Sequence, residues 1–415
     1  MFQTGEVFVP GGVPTVTYVQ RHTLELDKRI HRWVRTPFKV LAVSGPTKAG
    51  KTILLERTLP NSVRVSGGNV ASADDLWEEI AEQLDLPIEK SSTSTSELSL
   101  EQVKSLTAKH GPLSAGLSRS DRQTKGQAVT HGLATSARRA VRSELLERPV
   151  PIVIDDFHYI EPAVQKSIVR EIKDLVLRGI PFAVAAVPHR AFDVIRAERE
   201  MTGRIVPLDI PAWSQGDLTE ISVEGFAALG VEVSQEISTR LAQEAFGSPF
   251  LMQDFCYELA LHNGIERTST VRVRVSRPLW SDFFRERATA IGSSEFDAVA
   301  SGPQQRKARK RYPMKREGTV DVYRGTLLAL SRCGPNQSPT YDQLRTELRE
   351  VLADEIPQKA QIIRAIRGMS EISSSSNNAR SSAGESVIEY DPSTNQIHVT
   401  DPFFGFYLRW GAFES

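Results

Sequence analysis

The chain has 415 residues, 40% of them hydrophobic and 25% charged. That is too long for one ordinary domain, and two or three apolar cores are expected. Lys plus Arg and Asp plus Glu each total 51, so no overall field draws the molecule onto nucleic acid or membrane, and such a partner needs a local patch. Cys256 and Cys333 lie in helical apolar patterns and read as small core residues of a reducing compartment, not as a disulfide. The start, MFQTGEVFVPGG, has no basic run or apolar stretch of signal-peptide type, and no apolar run is long enough to cross a bilayer. The histidines show no metal-ligand spacing. A cytoplasmic protein without membrane contact is expected.

In chain order, a Gly/Pro-rich lead (Val9–Pro14) runs into Tyr18-Val19-Gln20-Arg21 and then a helix with Leu24, Leu26, Ile30 and Trp33 apolar. Ahead of the loop that follows, this segment either covers a nucleotide base or caps a sheet edge. Val40-Leu41-Ala42-Val43 reads as a buried strand. It ends in Gly45-Pro46-Thr47-Lys48-Ala49-Gly50-Lys51-Thr52, which matches G-x-x-x-x-G-K-[ST] at every fixed position, and a helix continues from Ile53 to Leu59, stopped by Pro60. Strand, glycine loop and helix in that order describe a phosphate cradle. Gly45 and Gly50 let consecutive N–H groups face an anion, with the helix N-terminus behind them. Lys51 brings a point charge to the outer phosphates, and the Thr52 hydroxyl is placed to ligate Mg²⁺.

Ser62–Ser66 alternates as a second strand and Ala73–Leu84 as an amphipathic helix. From Ser91 to about Gly132 the composition turns to Ser, Thr, Gly, Lys and Gln, an insertion of low order. Ala134–Glu147 reads as a helix leading back to the core. Pro151-Ile152-Val153-Ile154-Asp155-Asp156 is then a buried strand ending in two carboxylates, the Walker B pattern. Asp155 would hold Mg²⁺ through its water shell, and Asp156 would orient or deprotonate the attacking water. After a further helix, the strand Phe182–Val187 leads to Pro188-His189-Arg190, where Arg190 is preferred over His189 as the group that senses the γ-phosphate. Arg204, before Ile205–Ile210, is a second candidate for a phosphate or inter-subunit contact.

Residues 211–264 read as helices Asp217–Leu229, Ser234–Phe246 and Pro249–His262, within a lid spanning 211–300. Gly247 ends one helix and Pro249 opens the next, which is complete as a structural account. Residues 301–318 form a basic linker, with seven Lys or Arg among the eleven positions Arg306–Arg316. It is either solvated or in contact with nucleic acid or an acidic surface. Residues 319–415 give three helices (Val320–Arg332, one capped by Thr340 and Gln343, and Pro357–Arg367), a disordered-looking Ser373–Gly384 and a hairpin, Val387–Tyr390 with Gln396–Thr400. That is the order of a winged helix, followed by the aromatic helix of Asp401–Trp410.

These motifs together resemble the P-loop ATPases of the AAA+ and STAND group. The resemblance implies an α/β, RecA-like AAA+ core with a parallel sheet over residues 1–210, a helical lid and a C-terminal winged helix. Gly247-Ser248-Pro249 stands where STAND proteins carry G-x-P, so by resemblance Pro249 lies against the adenine. Arg190 falls where the same proteins have a strand-end arginine. Tyr18-Val19-Gln20-Arg21 is similar to the F-V-G-R motif of origin-recognition and archaeal ATPases, with Gln20 in place of glycine, which implies that Tyr18, Val19 and Arg21 border the nucleotide. Asp401–Trp410 resembles the tail of archaeal STAND-like ATPases.

The expected ligands are ATP and Mg²⁺, with the loop from Gly45 to Ile53 on the phosphates. The expected activity is slow ATP hydrolysis that switches a homo-oligomer or a separate effector protein. STAND relatives often serve in bacterial anti-phage defence. The alternative is a DNA-associated AAA+ ATPase of origin-recognition or transposition-helper type, using the winged helix and Arg306–Arg316.

Overall fold

The computed structural model describes residues 1–87, 136–187, 201, 203–292, 294–304, 307–334, 338–376 and 386–413. The Ser91–Gly132 insertion, Arg190 with His189, and Arg306 lie outside the described residues.

The core is a five-stranded parallel sheet of β1 (Val40–Ser44), β2 (Val63–Ser66), β3 (Ile152–Asp155), β4 (Phe182–Ala186) and β5 (Ile205–Asp209), in the order β2-β3-β4-β1-β5. A four-residue helix α1 (Thr4–Val7) and α2 (Leu26–Arg35) precede it. Helices α3 (Lys51–Thr58), α4 (Ala73–Gln83), α5 (Ala137–Glu147) and α6 (Pro162–Leu177) connect the strands. Side chains alternate across the sheet. Val40, Ala42, Ile152, Ile154 and Val184 pack with α4, α5 and α6, while Leu41, Val43, Val153 and Ala183 pack with α2 and α3. Both faces are covered, which is why β1, β3 and β4 are unbroken apolar runs. Edge strand β2 keeps the two-residue alternation. Its outer backbone is shielded where the Gln83 amide accepts from Arg64 N at 3.0 Å and donates to Arg64 O at 2.6 Å.

The lid contains α7 (Gln215–Ala228), α8 (Gln235–Glu244), α9 (Pro249–His262) and α10 (Trp280–Ile291). Ser214, Ser234 and Ser248 cap the first three by accepting from Asp217 N, Ile237 N and Leu251 N. The sequence offers no expectation for α10. The amino-terminal residues, assigned with the ATPase core in sequence, pack on the lid: Val7, Phe8 and Val19 lie in its core, and Thr4 N donates to Glu266 O at 2.9 Å. Gly225 makes room for Phe8, since a Cβ there would stand 2.2 Å from that ring.

The C-terminal unit comprises α11 (Ser294–Ser301), α12 (Val322–Arg332), α13 (Tyr341–Val351), α14 (Lys359–Ser376), the hairpin β6 (Ile388–Asp391) with β7 (Gln396–Val399), and α15 (Pro402–Trp410). Three helices and a hairpin follow one another as expected, although α14 runs on through Ser376, into the stretch expected to be disordered. Phe296 and Val299 of α11 belong to this core, so it starts ahead of residue 319.

Residues 307–318 are not a free linker. Tyr312–Pro313 pairs antiparallel with Thr319–Val320 and Tyr312 is buried. Arg309 pairs with Asp321 at 3.0 Å and lies 4.5 Å from the Tyr323 ring centre, Lys315 faces Glu350 at 3.4 Å, and Lys310 pairs with Glu355 at 2.5 Å. Of the readings its composition left open, solvation or contact with nucleic acid or an acidic surface, these pairs fit the acidic contact, made within the chain itself. Helix α15 joins two cores, with Phe404 and Leu408 in the C-terminal one and Phe406 in the lid. Among the described residues no helix is long and apolar enough to cross a membrane.

Candidate functional site

The carboxyl ends of β1 and β3 hold the two Walker segments. They are not neighbours, because β4 lies between them. The loop after β1 arches across that gap, and Thr52 Oγ1 donates to Asp155 Oδ2 at 2.6 Å. Three local features shape the arch. Lys48 and Gly50 adopt positive φ, +60° and +88°. Gly50 has no protein atom within 4 Å of an added Cβ and its backbone angle favours glycine, whereas a Cβ on Gly45 would meet Ile210 O at 2.7 Å. Trp213 then ties the arch to the start of the lid, its Nε1 donating to Ala49 O at 2.9 Å. Gly50 thus turns the chain beside open space, and Gly45 admits the segment just past β5.

Lys51 is buried, and its Nζ donates to Gly45 O at 2.9 Å and Pro46 O at 3.0 Å. On the other side, Asp156 has φ +50° and its N–H donates to Asp155 Oδ1 at 2.9 Å. The turn that follows β2 presses on this one, and a Cβ on Gly67 would lie 2.3 Å from Asp156 O.

A cavity of about 550 Å³ opens over the arch, within the range of nucleotide-sized sites. Thr47, Lys48, Ala49, Gly50, Lys51, Thr52 and Ile53 line its floor, Asp156 and Tyr159 one side, Tyr18, Val19 and Arg21 the lead-in side, and Pro249 and Phe250 the lid side. Gly45 and Pro46 stand behind the floor, and Asp155 reaches the site through Thr52. Pro249 is set there by a turn in which Phe246 and Gly247 both have positive φ, +49° and +68°.

Arg21 lines the cavity, but its guanidinium is engaged elsewhere. It donates to Pro211 O and Ala212 O at 3.0 Å and faces Asp217 at 3.4 Å. Burial lowers its pKa from the ordinary arginine value, against the pull of Asp217. Tyr18 has Arg57 over its ring at 4.0 Å, and its hydroxyl pKa is raised by burial and then by Asp27. Arg204 is at the amino end of β5, where its carbonyl accepts from Val40 N. The length of β1 separates it from the P-loop, so it cannot serve phosphate within its own chain.

Sequence reasoning missed Trp213, Gly67 and Phe250. The first two had signals: an aromatic residue just past the last core strand, and a Gly-Gly pair at the carboxyl end of β2.

No protein-family model matches the sequence, and neither does any curated protein. Solved structures do resemble it. A Walker-type ATPase of Pyrococcus abyssi matches 95% of this chain with 100% of its own, at 13% identity and TM-score 0.52. The ORC2 protein of Aeropyrum pernix, in ADPNP–ADP complexes, matches 97% of this chain with 95% of its own, at 13% identity and TM-score 0.50. With the two Walker segments brought together at the sheet edge, the fold of this chain is that of an AAA+-type P-loop ATPase.

Proposed function

We propose that this protein binds ATP with Mg²⁺ in the cavity, hydrolyses it slowly, and uses the difference between its nucleotide states as a STAND-like switch for assembly with further copies or a separate effector. The observation that carries this reading is the 2.6 Å contact between Thr52 Oγ1 and Asp155 Oδ2 at the foot of a nucleotide-sized cavity. A hydroxyl and a carboxylate are the oxygen donors that suit a hard divalent cation taking its other ligands from water and phosphate. When bound, Mg²⁺ neutralises charge on the phosphate oxygens.

The chain's own groups do the remainder. Loop N–H groups and the amino end of α3 hold the phosphates. Lys51 exchanges the carbonyls of Gly45 and Pro46 for phosphate oxygen, and Asp156, on the cavity wall, takes the proton of the attacking water. The loop is already coupled to both other units. Trp213 bonds Ala49 O, and Lys48 Nζ lies 6.0 Å from the ring centre of Phe403 in α15. A loop that differs between ATP and ADP therefore biases lid and tail. A role in anti-phage defence rests on the STAND resemblance. The test is mass determination in ATP, ADP and no nucleotide, with phosphate release followed in parallel. A nucleotide-dependent change of mass or co-purifying partner, lost in Asp155→Asn, supports the switch, and an identical mass in all three conditions counts against it.

A second reading, DNA association through the winged-helix unit, has its own observation. Arg345 and Arg349 on α13 and Arg364 and Arg367 on α14 are exposed, while Lys359 bridges α14 to the hairpin turn by donating to Asn395 Oδ1 at 3.1 Å. The ion-paired 307–316 stretch now contributes less than its composition suggested. Salt-dependent duplex binding lost on Arg364→Ala with Arg367→Ala supports this reading.

A further inference from the structure

Asp156 stands on an awkward stretch of backbone. Its φ is +50° and its ψ +39°, a left-handed conformation that L side chains occupy at a cost. Such a conformation persists where the surroundings impose it. From Asp156 the chain makes one tight turn, Phe157–Tyr159, before α6, and Tyr159 N donates back to Asp156 O at 2.9 Å. The ring of Phe157 is fully buried and anchors the turn from beneath. Two groups from elsewhere close on it. On one side is Gly67, whose added Cβ would stand 2.3 Å from Asp156 O. On the other is Gln165, one turn into α6 and only 4% exposed. A buried amide is costly unless it is bonded, and both N–H bonds of Gln165 Nε2 go to this turn, to Phe157 O and Ile160 O at 2.9 Å each. Those carbonyls lie three residues apart, so one side chain clasps the turn across its ends.

Asp156 and Tyr159 line the cavity, whereas Gln165 stands behind them and does not. We infer that Gln165 is a positioning residue for hydrolysis: its amide holds the Asp156 turn in the left-handed form and so sets where the Asp156 carboxylate meets the attacking water. This rests on the reading of Asp156 as the acceptor of that water's proton. Proton transfer depends steeply on where the accepting group is held. Nucleotide affinity, by contrast, comes from the loop N–H groups and Lys51, which Gln165 does not touch. Loss of the clasp therefore falls on the chemical step and leaves binding in place.

The experiment pairs single-turnover phosphate release with calorimetric ATP binding, both with Mg²⁺, on the full chain. Gln165→Met keeps the length of the side chain and removes both donors. It should slow release by about tenfold or more while ATP affinity stays within about twofold. Gly67→Ala pushes the same turn from the opposite side and should give the same split, so the test stands if either variant alone fails to fold. Asp156→Asn should slow release by about 100-fold. Adding Gln165→Met to it should cost nothing further, because the group being positioned is gone. Unchanged release in Gln165→Met, a matching loss of ATP affinity, or an equal slowing in the Asp156→Asn background overturns the inference and leaves the proton-acceptor reading standing. An Asp156→Asn protein that releases phosphate at the unaltered rate, or an unaltered protein that releases none, removes that reading and the inference with it.

Discussion

Asp155 and Glu244 are each gripped by side chains from distant parts of the chain, and they sit in contrasting surroundings. Asp155, half-buried at the end of β3, reaches the cavity through Thr52, a neutral hydroxyl that donates to it at 2.6 Å. Glu244, in α8, has a side chain only 1% exposed and is enclosed by Arg240 Nη2 at 3.0 Å, Arg409 Nε at 2.8 Å and Trp410 Nε1 at 2.8 Å. A carboxylate that must take a new ligand needs a lightly held partner and access to solvent. One that must hold two units together needs its lone pairs filled, because a buried charge without partners is costly. The first is the signature of chemistry and the second of architecture. Helix α15 shows the second along its length, with Arg409 and Trp410 on Glu244, Gly405 admitting Phe246, and Phe403 against Phe250 at 4.9 Å between ring centres.

Several substitutions separate the two kinds of acid. Glu244→Ala should have the largest effect on stability. It strands Arg240 and Arg409 at a buried seam, at a cost of about 3–5 kcal/mol, read as a lower denaturation midpoint and faster proteolysis of the C-terminal unit. Lys51→Ala should act on binding. Loss of the Lys51 ammonium should weaken ATP by about 100-fold, or about 2.7 kcal/mol, in calorimetry, with the denaturation midpoint nearly unchanged. If instead Glu244→Ala changed only ATP affinity and Lys51→Ala only stability, the contrast would be reversed.

Trp213→Phe keeps the ring and removes the bond to Ala49 O, so about 1 kcal/mol, a roughly fivefold loss of ATP affinity, is expected. A third carboxylate gives the mildest effect. Asp391 accepts from the Ser393 N–H and hydroxyl and from the Thr394 hydroxyl, which lower its pKa from 3.8 to about 2. A depressed acid stabilises the fold above its ordinary pKa. Its contribution is full above pH 4 or so and fades as the pH falls toward about 2. Amide exchange in the β6–β7 turn should speed up across that window, and should not do so in Asp391→Asn.

How much of this was legible depended on distance along the chain. The loop from Gly45 to Thr52 and the strand ending at Asp155 are contiguous, and each carries its own reason for being there, so the sequence located both and the fold brought them together. Three of the four lid helices were legible in sequence, with Gly247 ending one and Pro249 opening the next, whereas α10 was not. Glu244 and Arg409 are 165 positions apart, and nothing local to either marks the pairing. The basic stretch before residue 319 stayed open between solvation and an acidic contact for the same reason: its counter-charges Glu350 and Glu355 come from beyond it. Arg21 carries a lesson in roles, since a residue in the expected place lines the cavity while its guanidinium holds the β5–α7 junction.

The central claim is that Thr52 and Asp155 form the place where nucleotide and magnesium meet. The most direct measurement is ATP affinity with Mg²⁺ and with EDTA, in the unaltered protein, Thr52→Val and Asp155→Asn. The account predicts one ATP per chain, bound more tightly with Mg²⁺, with the gap between the two conditions closing in both variants. An unaltered protein that binds no ATP, or a magnesium dependence that persists in Thr52→Val and Asp155→Asn, would contradict it.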